Sequence, residues 1–249
     1  MSVRRGALAV VLVMLVLPVP ATVAEGGAVA EAAPGTPNGL GASAGATVRT
    51  RLASPRLGIV PFGRRAVVEG TVVDPEGETI PWARVEVLAK AHLFGAGFGP
   101  EGTVVTDDDG RFRYQAPVGM SRTLRFGYRA ALSDVDFADS ADVTLAVAAG
   151  LRLRTSRSSL RNGGVLRFSG WLLGPPEGSR KVIELQVRRG RAWQPFATVR
   201  LRDGRFGHSY RFTRTVVRTA YAFRARVRSE AGFPYATGHS QPVAVLVGP

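Results

Sequence analysis

The sequence predicts an all-β fold, two β-sandwiches in tandem, following a signal peptide and a flexible linker. Three observations point that way. Thr103–Tyr114 sets β-branched and aromatic runs on either side of Asp109-Gly110. This reads as a β-hairpin whose glycine supplies the positive φ of a tight turn. The pattern returns at Thr198-Val199, Asp203-Gly204-Arg205-Phe206, Tyr210 and Phe212, a spacing of about ninety residues that suits one small sandwich. Finally, 249 residues leave room for two domains, each with its own core.

At the N-terminus, Arg4 and Arg5 precede the apolar run Gly6–Leu17, which Pro18 and Pro20 close. The run is shorter than the ~20 residues of a membrane span, so it reads as a signal peptide rather than an anchor. Thr22 and Ala24 mark a cleavage site, and Ala28-Val29-Ala30 offers a second one. The expected address is secreted or cell-envelope associated. The chain has no Cys, which excludes disulfides, thiolate metal sites, a cysteine nucleophile and lipoprotein processing. Residues 25–63 are rich in Ala, Gly, Thr and Pro and read as the linker. Gly41-Ala42-Ser43-Ala44-Gly45 spells the nucleophile-elbow pattern there, but without the strand-to-helix turn that would give it meaning.

The first sandwich is expected over residues 64–149. Ala66–Val73 is β-rich, Asp74–Gly77 turns, and in the next run Ala83, Val85, Val87 and Ala89 alternate with Arg84, Glu86 and Leu88. Gly70-x-Val72-x-Asp74-x-x-Gly77, then Ile80, Ala83 and Val85, then Thr106-Asp107-x-x-Gly110-x-Phe112 together resemble the carboxypeptidase regulatory-like domain, a transthyretin-like sandwich of secreted bacterial proteins. The resemblance covers residues 64–148 and implies turn and core positions, not site residues. It is broken by Thr79, where the family has Pro, and by Trp82, where it has Gly; Trp82 is expected to pack on the turn. Ala91–Gly102 reads as a loop closing over its own sandwich. Its Gly97-x-Gly99-x-x-Gly102 precedes a strand, so no helix N-terminus is available for a pyrophosphate. Asp107-Asp108-Asp109 lacks the remaining ligand positions of a calcium loop and reads as an acidic turn. Gly150 is the expected joint, crossed by few contacts.

The second sandwich, residues 150–249, is expected from short alternating runs. Ile183, Leu185 and Val187 face inward, as do Tyr221, Phe223, Ala225 and Val227. Arg191-x-Trp193, Phe196–Val199 and Asp203–Phe206 resemble bacterial immunoglobulin-like repeats, which implies a scaffold or interaction module.

Charge divides the chain. Residues 25–149 carry 12 basic and 15 acidic side chains, whereas residues 150–249 carry 19 basic and 4 acidic. The basic excess of the second half suits polyanions, although Lys occurs only at Lys90 and Lys181, as a high-GC coding bias would produce. No catalytic, cofactor or metal residues are predicted. His92, His208 and His239 begin no His-x-x-Glu pattern, and His208 reads as a core histidine bonded to backbone. Trp82, Trp171 and Trp193 read as core and corner packing. The candidates for an anionic ligand are Arg188, Arg224 and Arg226, on two strands expected to lie side by side. The partners they suggest are envelope polymers, glycans or lipid surfaces. Specific nucleic-acid binding is disfavoured because basic and aromatic residues do not interleave. The rival class is a carbohydrate-active or other hydrolase on a sandwich scaffold, which would need two carboxylates in one cleft. A third is a passive spacer.

Export should leave a mature chain beginning at Glu25, or at Glu31 if the second site is used, as read by N-terminal sequencing; recovery of the Met1 terminus would overturn the signal-peptide assignment.

Overall fold

The computed structural model describes residues 46–54, 58–131 and 133–249. The expected signal peptide, the linker up to residue 45 and the Gly41–Gly45 motif lie outside the described residues.

Eight strands build the first sandwich: β1 (Thr47–Ser54), β2 (Ile59–Val60), β3 (Ala66–Val73), β4 (Arg84–Ala91), β5 (Gly99–Val105), β6 (Arg111–Ala116), β7 (Arg122–Tyr128) and β8 (Asp139–Val147). They form a sheet in the order β1-β3-β6 and another in the order β2-β8-β7-β4-β5. Alternation buries Val68 and Val72 from one sheet and Val85, Val87, Leu124, Phe126 and Leu145 from the other. Each such side chain contributes roughly 1.5–3 kcal/mol by leaving water.

Nine strands build the second: β9 (Gly150–Thr155), β10 (Ser159–Arg161), β11 (Val165–Leu173), β12 (Val182–Arg189), β13 (Ala192–Arg200), β14 (Arg205–Arg211), β15 (Thr219–Val227), β16 (Gly238–His239) and β17 (Val243–Gly248). Their sheets run β9-β11-β14 and β10-β17-β15-β12-β13, with β16 paired to β15. Apart from β16, this repeats the strand order of the first sandwich. In both, a short strand joins the last strand in parallel, β2 on β8 and β10 on β17. Both sandwiches are therefore immunoglobulin-like.

The repeated Asp-Gly segments are not hairpins. β5 pairs with β4 and β6 with β3, in opposite sheets; likewise β13 pairs with β12 and β14 with β11. The turns themselves are as expected, with φ of 67° at Gly110 and 72° at Gly204. In the first copy Thr106 holds the chain down between the flanking strands. Its buried hydroxyl donates to Ile80 O at 2.8 Å and accepts from Ala83 N at 2.7 Å, tying the chain to the β3–β4 connection before it crosses sheets. The linker also ends sooner than the composition suggests, since Thr47–Ser54 pairs with β3 from Val73 back to Val67. Its alternating Val48 and Thr/Arg positions fit an edge strand.

One device locks each crossover. Gly70 stands opposite Phe112, and Gly170 opposite Phe206. Each phenylalanine ring covers its glycine, so that a Cβ at Gly70 would collide with Phe112 Cζ and Arg49 O, and one at Gly170 with Phe206 Cζ and Arg152 O. The turn glycines lean on the same strands: Val72 N donates to Gly110 O at 3.1 Å and Leu172 N to Gly204 O at 2.9 Å.

The joint is not sparsely crossed. Phe233–Ala236 of the second sandwich runs beside the end of β8. Ala236 N donates to Val147 O at 2.7 Å, Ala149 N to Ala236 O at 3.0 Å and Ser121 N to Pro234 O at 2.9 Å. The Phe62 ring lies 5.9 Å from that of Tyr235, whose hydroxyl donates to Gly174 O at 2.9 Å. Phe62 also packs where a side chain on Gly150 would stand, its Cγ within 2.5 Å. Phe94, expected to close over its own sandwich, instead reaches Gly232 of the second while remaining largely exposed.

Gly170→Ala should cost ~1–3 kcal/mol by overpacking. Gly204→Ala should cost only ~1 kcal/mol, the conformational penalty, because its nearest neighbour would be Pro175 Cγ at 3.7 Å. Denaturant unfolding measures both. Since the joint is bonded through backbone, the Gly170→Ala defect is expected to lower the melting of the first sandwich too; an unchanged first transition would show that the joint transmits nothing.

Candidate functional site

β12 and β15 are neighbours, with Glu184 opposite Arg226 and Gln186 opposite Arg224. Since Ile183, Leu185, Phe223, Ala225 and Val227 fill the core, period two sends Glu184, Gln186, Arg188, Arg224, Arg226 and Arg228 to the outer face. The structure thus brings the three candidate arginines onto one face. β13 adds Trp193, opposite Arg188, and β16 adds His239, opposite Arg226.

These side chains are linked in a chain. Arg224 lies with its guanidinium carbon 4.4 Å from the Trp193 ring centre, a cation–π distance. Its Nε donates to Gln186 Oε1 at 2.8 Å, and Gln186 Nε2 donates to Glu184 Oε2 at 3.2 Å. Glu184, mostly buried, takes Arg228 Nε at 2.6 Å and Arg226 Nη1 at 3.6 Å. Gln186 is fully buried under this layer although it sits on the outer face. One carboxylate therefore serves two guanidinium groups, and Arg188 and Arg224 have none. Arg188 Nε donates only to Gly190 O, at 3.1 Å. Among the described residues, Arg226 Nε is buried without a hydrogen-bond partner. Burial, and then the charge of Arg226, hold the pKa of Arg224 below its ordinary value.

The three tryptophans are not core residues. Trp82 is 66% exposed with φ of 58°, so it does not cap its turn by packing. Trp171 and Trp193 are half-buried on outer faces, beside Arg154 at 5.2 Å and Arg224 respectively. The alternation that buries Leu166, Phe168 and Leu172 already implies that Trp171 points out. The same alternation reveals arginines missed by reading charge only on β12 and β15, namely Arg152, Arg154, Arg167, Arg205 and Arg211.

Asp107 closes its acidic turn on itself, its Oδ1 accepting from Asp109 N at 3.0 Å and Arg111 N at 2.8 Å. Among the described residues no three His, Asp or Glu side chains converge on one point, and no helix is long and apolar enough to cross a membrane. His208 packs edge-on against Phe196, ring centres 6.2 Å apart. Glu177 and Asp203 line one cleft of the second sandwich, both on exposed loops.

No protein-family model matches the chain, and no curated protein matches it. Among solved structures, it is similar to a tetra-tandem repeat from the extending region of a large adhesion protein, at 12% identity and a TM-score of 0.35 over 81% of this chain and 49% of that one. It is also similar to the Yersinia pseudotuberculosis adhesin InvE, at 13% identity and a TM-score of 0.33 over 79% of this chain and 58% of that one. Fibronectin(III)-like modules of Clostridium thermocellum CbhA align at 11% identity and a TM-score of 0.26, over 80% of this chain and 93% of theirs. The chain spans only about half of the two adhesion proteins it matches.

His239 gives the face a pH dependence. Although His239 is exposed, partial desolvation beside the sheet, then the charges of Arg224 and Arg226, opposed by Glu184, hold its pKa below the ordinary 6.5. The folded state therefore binds fewer protons than the unfolded one as pH falls past about 6.5. Stability from this source is complete above that pH and declines below it. Melting temperature followed from pH 7.5 to 5 should fall less in His239→Gln than in the parent chain.

Proposed function

We propose that the chain is a non-catalytic interaction module of the cell exterior or envelope that holds an anionic polymer on the β12–β15 face. The observation behind this reading is the charge of that face, four guanidinium groups of which the single carboxylate, Glu184, pairs with only two. Arg188 and Arg224 pair with no carboxylate, so ion pairing gives no stability reason for retaining them. A polyanion gains from several Arg contacts at once, with binding that weakens steeply as salt rises. The N-terminal apolar run supports export. The resemblance of residues 64–148 to carboxypeptidase regulatory-like domains supports an accessory role of the same non-catalytic kind.

Replacing Arg188, Arg224 and Arg226 together with Gln should shift elution from heparin to lower salt, with some loss of melting temperature because buried Gln186 and Glu184 each lose a partner. Unchanged elution would mean that the arginines reflect coding bias.

A further inference from the structure

A uniformly charged surface lies on the opposite sheet, β9-β11-β14. Its outward positions follow from register. Arg152, Trp171 and Arg205 form one row across the three strands, followed by Arg154, Ser169 and Gly207, then Arg167 and Ser209, then Val165 and Arg211. Five arginines share this face with two serines and a tryptophan, and no carboxylate occupies an outward position. All five are exposed. None forms an ion pair among the described residues, in contrast to Arg226 and Arg228 on the other sheet. Like charges on neighbouring strands repel, so the face carries an electrostatic cost that a bound anion would relieve.

The face is also shaped. Its first row opens into a cleft of about 1040 Å³, floored by Arg152, Arg154 and Trp171 and walled by the loop 174–180 and the Arg202–Gly204 turn. Glu177 and Asp203 stand in these walls, offset by Arg180 and Arg202. Trp171 is flanked in register by Arg152, which lines the cleft, and by Arg205, just beyond it, with Arg154 5.2 Å from the ring centre.

We infer that this cleft and the arginine rows running from it form a second binding site, which takes a linear acidic polysaccharide. The chemistry follows from the row Arg152–Trp171–Arg205. An indole offers a flat apolar surface to a sugar ring, while guanidinium forks on both sides match carboxylate or sulfate groups bidentately. The rows behind it extend positive charge along one direction, as a chain polymer requires. A lipid surface fits less well, because Trp171 is half-buried and lines a cleft shared with the 174–180 and 202–204 loops rather than standing proud of a flat face. This site is independent of the β12–β15 face and can hold when that reading fails.

The test uses the full mature chain and a heparin-derived hexasaccharide, followed by calorimetry. Arg152→Gln/Arg154→Gln/Arg205→Gln should lose roughly tenfold or more in affinity and flatten the dependence on log salt by about two. Trp171→Ala should weaken binding with the salt slope retained, because it removes a contact that carries no charge. Parent-like melting of each variant establishes folding, and Trp171→Phe provides a milder substitution if Ala unfolds the chain. In parallel, the Arg188/Arg224/Arg226 triple variant reports on the other face. Hexasaccharide affinity lost there but kept in the cleft variants overturns this inference and leaves the first reading standing; affinity kept in both overturns both. Binding to phosphatidylglycerol vesicles, or to single-stranded DNA, that exceeds hexasaccharide binding and falls in the cleft variants would overturn the choice of a polysaccharide.

Discussion

Each sandwich depends on a contact that only glycine permits, a phenylalanine ring covering a glycine of the central strand of its three-stranded sheet. Asp-Gly-Arg-Phe occurs twice, and in both copies the turn glycine accepts a hydrogen bond from that strand while the phenylalanine closes over Gly70 or Gly170. The chain must leave one sheet and enter the other at this place. A crossover of that kind has little ladder hydrogen bonding of its own, so side-chain packing has to hold it. The conserved geometry of the two copies follows from that requirement, since an added Cβ would meet both a ring and a backbone carbonyl, and the carbonyl cannot step aside.

Much of the architecture was legible because period-two alternation is strong. The inward sets Val85–Val87, Ile183–Val187 and Tyr221–Val227 point to the core as read, and β12 and β15 are neighbours. The hairpin reading failed for a specific reason. A tight turn fixes the direction of the chain but not the partner of each flanking strand, and Thr106 satisfies backbone groups of the β3–β4 connection that sequence spacing does not reveal. The joint was misread for a similar reason. Phe233–Ala236 looks like an ordinary loop in sequence, and its role appears only when its backbone lies against β8.

The candidate site was half legible. Register brings Arg188, Arg224 and Arg226 together, but Glu184 and Gln186 turn part of that row into an internal network and Trp193 covers Arg224. The opposite face went unread because its arginines are spread over three strands, one or two in each. Only the sheet order sums them. Arginine suits both arrangements, since its planar group can stack on indole and still present donors at its edge.

The parallel pairing of the first short strand with the last has a mechanical meaning. In each sandwich, tension along the chain reaches β2 and β8, or β10 and β17, from opposite ends of strands that run the same way. The force then acts along the strands, and their hydrogen bonds lie across it. Such bonds share the load and yield together, whereas an antiparallel pair pulled from one end opens bond by bond. With Ala236 bridged to the end of β8 through backbone hydrogen bonds, a load on one sandwich is shared with the next.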